Sequence, residues 1–281
     1  MSIRIVTDST CDLPEGIIRE HRIKVIPLYI NIGPREYRDG IDIQRREFYE
    51  NLPGYKPIPT TAVPGLDVFR QSYEQLAAEG ATEILSIHIS KKLSAILDTA
   101  QLVAQETRAV PVTVFDSRQL SLGTGFLVLA AAQAVEEGRS MAQILALLEE
   151  QIKRTHVFAA LDTLEFLKRS GRMNGTLSAL GSLLQVKPIL KMYDGNPTAE
   201  RVRTRTGAVS RLVRMLNDIA PLEQVALIHT HAVDRAMALL EQVRHLVPEG
   251  NVLCMELNPV LGVHVGPGVI GFVCISKRIN K

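Results

Sequence analysis

Residues 83–100 read EILSIHISKKLSAILDTA, and this stretch passes from an apolar strand through a polar turn into a helix. Its first part is aliphatic over a length typical of a strand. Ser94 stands where the helix is expected to begin. A serine there can accept a hydrogen bond from a free backbone N–H, and the positive end of the helix dipole also favours an anion. The pattern predicts that Ser94 is either a helix cap or a ligand donor.

The order of strand, polar turn and helix recurs at two other places in the first half of the chain. One strand is expected to end at Asp8, and another at Asp116, which Ser117 follows. Such alternation predicts a parallel sheet wrapped by helices, with ligands at the carboxyl ends of its strands. Asp8 and Ser117 are therefore additional candidate ligand-binding residues.

The second half of the chain predicts another α/β unit. It contains expected strands over 157–161, 186–193, 225–229, 252–257 and 269–276, a helix over 177–184, a hairpin turn at Asp194-Gly195, and a loop over 258–267. A chain of 281 residues exceeds what one core usually organises. We therefore expect two α/β domains with mostly parallel sheets, over residues 1–155 and 156–281.

Composition excludes several classes of protein. Hydrophobic residues make up 46% and charged residues 22%, which is typical of a globular chain. No apolar run approaches the ~20 residues of a membrane span, and the N-terminus leads directly into a strand rather than a signal peptide, so a cytoplasmic location is expected. Cys11, Cys254 and Cys274 are too widely spaced to indicate a disulfide framework or a zinc site. We expect no metal.

The segment from Lys168 to Arg214 is basic, with Asp194 and Glu200 as its only acids. Such a segment suits an acidic partner, a phosphate or nucleic acid, and it is equally compatible with a solvated face that binds nothing. It lacks the interleaved aromatic residues of a platform for single strands. A nucleic-acid-binding regulator is therefore a third hypothesis, behind the two given below.

Residues 266–271 satisfy the pattern GxGxxG, but their context does not fit a dinucleotide fingerprint. That fingerprint requires a helix after the glycines and an acidic residue about 20 positions further on. Here a strand is expected after the glycines, and no cofactor is predicted. Gly266 and Gly268 are interpreted as positions where the backbone turns tightly and approaches another group closely, and they are further candidate ligand-binding residues.

Two histidines have different interpretations. His88 lies within the expected strand of the opening stretch and is interpreted as structural. His264 precedes the glycine turn, and with Ser94 and either Asp8 or Asp116 it completes the residue types of a Ser-His-Asp hydrolase. The common α/β hydrolases carry GxSxG around the serine, and this chain does not. An esterase or thioesterase acting on acyl substrates is the alternative hypothesis.

Several segments, in one order, resemble the DegV family, whose members resemble the fatty-acid-binding subunits of bacterial fatty acid kinases. The matching segments are TDSTCDLP at 7–14, PTT at 59–61, residues 87–100, FDS at 115–117 with Gly123 and Gly125, LKRSGR at 167–172, Lys187-Pro188 and HVGPG at 264–268. They are spread over nearly the whole chain.

The resemblance implies a protein that holds a long-chain fatty acid at a domain junction and presents its carboxylate to a kinase subunit, without chemistry of its own. The residues implied to hold the carboxylate are Thr61, Ser94 and His264. The residues that would contact the kinase or stabilise an acyl phosphate are Arg169, Arg172, Arg203 and Arg205. No cofactor other than the bound fatty acid is implied.

The chain departs from the family in the opening stretch. Residues 90–100 read SKKLSAILDTA where the family usually has SSGLSGTYQSA. Lys91, Lys92 and Ile96 are the most prominent differences. They predict a less flexible and more positive turn beside the carboxylate site.

Overall fold

The computed structural model describes residues 2–172 and 186–278. Its strands are β1 (Ile3–Asp8), β2 (Lys24–Ile26), β3 (Tyr29–Ile32), β4 (Arg35–Arg38), β5 (Thr60–Ala62), β6 (Glu83–His88), β7 (Val112–Asp116), β8 (Thr155–Ala160), β9 (Lys187–Tyr193), β10 (Asn196–Val202), β11 (Leu222–His229), β12 (Leu253–Glu256) and β13 (Ile270–Ser276). Its helices are α1 (Glu15–Glu20), α2 (Arg45–Asn51), α3 (Leu66–Ala78), α4 (Ile96–Glu106), α5 (Leu122–Glu136), α6 (Met141–Ile152), α7 (Glu165–Arg169), α8 (Arg205–Ile219), α9 (Val233–Val243) and α10 (Pro259–Val265). The helix predicted over residues 177–184 falls outside the described residues.

The opening stretch supplies a central strand of a four-stranded parallel sheet with the order β2-β1-β6-β7. Strand β6 is buried from Ile84 to His88 because α3, α4 and α5 pack on it. A strand covered on both faces carries a continuous apolar run rather than an alternating one. The α/β class and the parallel order predicted for this part of the chain are confirmed.

Pro27 divides what the sequence suggested was one strand over residues 24–32. Strand β2 ends at Ile26 and belongs to the parallel sheet, whereas β3 begins at Tyr29 and belongs to a separate antiparallel sheet with the order β4-β3-β5. Proline has no N–H for the ladder, so the chain leaves the first sheet there. The small sheet that results carries Thr61 in β5.

The second large sheet has six strands in the order β10-β9-β8-β13-β11-β12. Only its β11–β12 pair is parallel, and its other pairs are antiparallel. The expectation of mostly parallel sheets therefore fails here. The reason is that β9 and β10 form a hairpin, and that the last strand, β13, is inserted between β8 and β11. The hairpin turn at Asp194-Gly195, with φ of 43° and 71°, confirms the sequence prediction.

Helix α5 packs against both large sheets and joins them in one core. It is buried on all sides from Leu122 to Val128, which fits the apolar sequence of that part. A side chain at Gly123 would collide with Val157 of β8, and one at Gly125 would collide with the backbone of Cys11 after β1. These glycines let the helix approach both halves of the chain. The boundary expected between residues 155 and 156 coincides with the start of β8 and stays a prediction.

Helix α10 was not predicted, because residues 258–267 were interpreted as a loop. It begins after Asn258, whose side-chain oxygen accepts a hydrogen bond from the N–H of Leu261 at 2.9 Å, and Pro259 occupies its first position. Asparagine followed by proline is a helix-start signal. The consequence is that His264 lies on a helix that packs against α2, α7, β3 and β5, not in an open loop.

Candidate functional site

A cavity of about 220 Å³ lies between the six-stranded sheet and the segments that follow the strands of the parallel sheet. Leu28 and Ile89 from the first half of the chain line it, together with Val157 and Ile228 from the second half. Most of the other lining side chains are also aliphatic. A surface of this kind favours an apolar molecule, because burying its apolar area gains about 25 cal/mol per Å².

Polar groups converge at one part of the lining. Thr61, Ser94 and His264 all border the cavity, as the sequence resemblance predicts. The Thr61 Oγ1 atom lies 3.1 Å from His264 Nε2, although 203 residues separate them in the chain. Strand β5 and helix α10 bring the two side chains together. The Ser94 side chain reaches the same cavity from the turn after β6.

His264 has an unusual electrostatic environment. Burial, together with the weaker effect of the nearby positive charge of Arg172, lowers the pKa of its ring to about 4. The ring is therefore neutral at neutral pH and can both donate and accept a hydrogen bond. Its Nδ1 atom is shielded from solvent and has no hydrogen-bond partner within residues 2–172 and 186–278. The ring therefore retains hydrogen-bonding capacity beyond its contact with Thr61.

Ser94 lies two residues before the helix it was expected to start. Helix α4 begins at Ile96, and the Ser94 hydroxyl oxygen accepts a hydrogen bond from the Ile96 N–H at 3.3 Å. This contact uses an oxygen lone pair, so the hydroxyl proton can still be donated to a ligand. The N-cap of α4 is Ala95, so the prediction of Ser94 as the cap is wrong, and Ser94 instead stabilises the turn before the helix while keeping a proton to donate.

Asp8 does not border the cavity. Its buried carboxylate accepts hydrogen bonds from the Ile89 N–H at 3.1 Å and from the Thr10 hydroxyl, and it lies 2.9 Å from His88 Nδ1. Burial raises the pKa of Asp8, but the hydrogen bond and charge of His88 outweigh burial, and the resulting pKa is lowered. His88 Nε2 in turn lies 2.7 Å from the Ser86 hydroxyl. The structural interpretation of His88 agrees with this geometry.

Ser117 is also buried outside the cavity. Its hydroxyl lies 3.0 Å from the Thr124 hydroxyl and accepts from the Gln119 N–H at 3.1 Å, so it stabilises the turn after β7. Asp116 accepts from the Arg118 N–H at 2.8 Å. Neither Asp8 nor Asp116 orients His264, so the geometry gives no support to the predicted esterase triad.

Gly266 and Gly268 form the turn after α10, with φ of 73° and 84°. A side chain at Gly266 would overlap the ring of Phe166, and one at Gly268 would overlap the Asp162 carboxylate. Strand β13, not a helix, follows them. The close approach predicted for both glycines is observed.

The four arginines of the predicted partner surface have different environments. Arg172 is exposed and also borders the cavity, which places it at the rim. Arg205 donates two hydrogen bonds to Asp162, at 3.0 and 2.8 Å. Arg169 pairs with Glu165 on the same helix, and Arg203 is exposed before α8.

The residues that depart from the family also differ in their surroundings. Lys91 is exposed. Lys92 Nζ donates to Asn196 Oδ1 at 2.7 Å and so links the Ser94 turn to the tip of the β9–β10 hairpin. Ile96 is fully buried in the core, so its large side chain supports helix α4.

Sequence reasoning missed two features of the site. Thr10 lines the cavity, although its place in a capping cluster suggested only a local role. Helix α10 was missed as well, and the signal that could have found it is Asn258-Pro259. Over residues 2–172 and 186–278, no group of three or more His, Cys, Asp or Glu side chains is arranged to hold a metal ion. In the same residues, no helix has the length and apolarity needed to cross a membrane.

The sequence of residues 2–277 matches the model of a protein family described as uncharacterised, the DegV family. A DegV domain-containing protein of Streptomyces coelicolor is 35% identical over 280 residues, which cover 98% of this chain and 99% of that protein. Protein DegV of Bacillus subtilis is 31% identical over 284 residues, which cover 99% of this chain and 100% of that protein.

Two solved structures have the same fold over nearly the whole chain. A DegV family protein from Thermus thermophilus, described as fatty acid binding, has a TM-score of 0.89 and 36% identity, with 99% of this chain and 100% of that chain covered. DegV of Bacillus subtilis, described as a fatty acid binding protein, has a TM-score of 0.90 and 30% identity, with 98% and 99% covered. The chain is a member of the DegV family.

Proposed function

We propose that this protein binds a long-chain fatty acid in the cavity beside its six-stranded sheet and presents the carboxylate to a partner kinase for acyl phosphate formation. The observation that carries the proposal is the contact between Thr61 and His264 at the polar part of an otherwise aliphatic cavity. The related proteins from Thermus thermophilus and Bacillus subtilis are described as fatty acid binding, which supports the same ligand class here.

The polar groups suit a carboxylate. Ser94 offers a hydroxyl donor. The hydrogen-bonded pair of Thr61 and neutral His264 offers one more, either the Thr61 O–H or the His264 N–H, because their mutual bond uses the other proton. Arg172 at the rim adds positive charge without forming a fully buried ion pair, which would carry a large desolvation cost. This set orients an anion and still leaves it accessible to a reacting partner.

The acyl chain would occupy the aliphatic part of the cavity. Each buried CH₂ group contributes about 0.8 kcal/mol, so a chain as long as that of hexadecanoate gains on the order of 10 kcal/mol before the cost of ordering it. The tail therefore dominates affinity, and the polar groups determine which end of the ligand faces the rim.

The protein itself would be a carrier, with catalysis in the kinase subunit. Arg169, Arg172, Arg203 and Arg205 would meet an acidic kinase surface, and of these four Arg172 borders the cavity. The acyl phosphate product would serve as a precursor of phospholipids. Three cysteines without disulfide bonds fit the cytoplasm, where such a kinase would find ATP.

Fatty acid binding is tested by mass spectrometry of lipid extracted from the purified protein, followed by titration of the delipidated protein with hexadecanoate. We expect a co-purified fatty acid, and Ser94→Ala should weaken affinity about fivefold through loss of one donor. Ser140→Ala is the matched control, because Ser140 caps α6 away from the cavity. A lipid-free protein, or equal affinities for all three proteins, would exclude the proposed site.

Kinase presentation is tested separately. The loaded protein is incubated with ATP and an extract of its own cells, and hydroxylamine traps any acyl phosphate as a hydroxamate. We expect trapped product from the wild-type protein and less from Arg172→Ala loaded to the same extent. Labelling of Ser94 by a serine-directed probe would instead support the esterase alternative.

A further inference from the structure

We propose that Asp12 is a positioning residue for the carboxylate site and acts through the helix that carries His264. This inference rests on the proposed fatty acid function and deepens it. Asp12 is not among the residues that line the cavity, within the described part of the chain. Its influence on the ligand would have to pass through other side chains.

Asp12 is fully buried and binds three separate elements. Its Oδ1 atom accepts hydrogen bonds from the backbone N–H and the Nδ2 of Asn258, at 3.0 and 3.1 Å. Its Oδ2 atom accepts from the Ser121 hydroxyl at 2.7 Å, and the Arg45 guanidinium lies 3.1 Å from Oδ1. A carboxylate removed from water is stable only where such partners compensate for its lost hydration. The position of Asp12 and the position of Asn258 are therefore tightly coupled.

Asp12 also determines how Asn258 is oriented. Because the Nδ2 of Asn258 donates to Asp12, its Oδ1 is directed toward the Leu261 N–H, which it caps at 2.9 Å. Helix α10 has only seven residues. A helix of this length is marginal by itself, so its cap and its packing decide where it starts. The carboxylate of Asp12 thus fixes the first turn of α10.

The first turn of α10 in turn sets the position of His264. Six residues separate Asn258 from His264, which corresponds to about 9 Å along a helix axis. The 3.1 Å contact between His264 and Thr61 would be lost after a shift of roughly 1 Å. Tyr49 holds the same helix from the other side, because its hydroxyl donates to Leu257 O at 3.0 Å and its ring occupies the space beside Gly262. Asp12 and Tyr49 together hold α10 in place.

A variant of Ser121 distinguishes this positioning role of Asp12 from a general role in stability. It donates a hydrogen bond to the same carboxylate, but it precedes α5 and has no contact with α10 through that bond. Removal of the Ser121 hydroxyl therefore weakens the environment of Asp12 and leaves the link to Asn258 intact. Loss of stability alone should follow from Ser121→Ala, whereas Asp12→Ala, which removes the oxygen that Asn258 contacts, should also reduce affinity.

The experiment measures hexadecanoate affinity and urea unfolding for the full-length protein. Asp12→Ala should weaken affinity about tenfold, because it removes both acceptor oxygens, and Ser121→Ala should leave it within twofold. In a His264→Ala background, Asp12→Ala should produce no further loss, because its effect passes through His264. Asp12→Asn keeps an oxygen that accepts from Asn258 and should hold affinity to within threefold of the wild type.

Asn258→Ser is a milder substitution if Asp12→Ala does not fold, since serine retains the cap and loses only the donation to Asp12. We expect it to weaken affinity about threefold. Unchanged affinity in Asp12→Ala, or an equal loss in the His264→Ala background, would overturn the proposal. If the wild-type protein does not bind hexadecanoate, the proposed function is refuted. The ¹⁵N shifts of the His264 ring in Asp12→Ala still test the positional link, and unchanged shifts would refute it.

Discussion

His88 and His264 are both shielded from water, but their hydrogen bonding differs. Both ring nitrogens of His88 have partners, Asp8 Oδ2 at 2.9 Å and Ser86 Oγ at 2.7 Å. His264 has Thr61 as a partner for Nε2, and its Nδ1 has none among the described residues. A histidine whose two ring nitrogens both form hydrogen bonds within the protein stabilises the fold. A histidine beside a cavity with one ring nitrogen unpaired can form a hydrogen bond with a ligand.

The largest expected effect comes from removing His88, whose two ring nitrogens both have hydrogen-bond partners. His88→Ala would leave the buried Asp8 carboxylate without its main partner and would also create a cavity next to Phe69. We expect a loss of about 3–5 kcal/mol in the free energy of unfolding, measured with urea. Fatty acid affinity per folded molecule should be unchanged. A loss below about 1 kcal/mol would show that the two histidine sites do not differ as described.

Asp39 extends the comparison to a buried group that is unsatisfied but does not border the cavity. Within the described residues neither of its carboxylate oxygens has a hydrogen-bond partner. Burial raises its pKa to about 7, against weaker opposing effects of Ser9 and Arg45. Because this folded value lies above the ordinary value of 3.8, ionised Asp39 destabilises the fold. The loss of folding stability caused by ionised Asp39 is absent below about pH 4 and grows as the pH rises to about 7.

Asp39→Asn should therefore stabilise the protein at pH 8 by about 2–4 kcal/mol, because a neutral amide avoids the buried charge. The gain should disappear near pH 4. Urea unfolding at a series of pH values measures it, and hexadecanoate affinity at pH 8 should not change. A gain that is independent of pH would contradict the assignment of the raised pKa to Asp39.

Thr61→Val tests the contact between Thr61 and His264, because valine has nearly the same shape as threonine but lacks the hydroxyl. The variant removes the hydroxyl that contacts His264, and we expect hexadecanoate affinity to fall about tenfold, or about 1.4 kcal/mol. Thr61→Ser retains the hydroxyl and is the control. Equal affinities for the valine and serine variants would mean that the hydroxyl does not contact the ligand.

The smallest effect is expected at Lys92. Its hydrogen bond to Asn196 is exposed, and exposed contacts of this type contribute about 0.5–1 kcal/mol. Lys92→Met should therefore speed hexadecanoate release about threefold, measured by stopped-flow fluorescence. Lys91→Met is the matched control and should release at the wild-type rate. Identical rates for both variants would show that the hairpin link does not affect ligand exchange.

The sequence predicts the parallel half of the fold well, because β1, β6 and β7 each end in a polar turn that leads into a helix. It fails in the second half, where strand direction depends on long-range pairing. The insertion of β13 between β8 and β11 leaves no local signal. The Asp194-Gly195 hairpin was predictable because its turn chemistry is local.

The candidate site was predictable to a different extent. Thr61, Ser94 and His264 were named from the family resemblance, and the structure brings all three to one cavity. The same reasoning could not exclude Asp8 and Ser117, since loops at strand ends can face either a ligand or the core. The contact of Asp12 with Asn258 spans 246 residues, so no local pattern reveals it.

The cavity is bounded by side chains from both halves of the chain, so a bound fatty acid would act as part of the hydrophobic core. A ligand that binds only the folded state adds about 2.7 kcal/mol of stability at one hundred times its dissociation constant. Melting temperature would then depend on the lipid supply of the cells that produced the protein. Two preparations with the same sequence and different lipid content should behave as proteins of different stability.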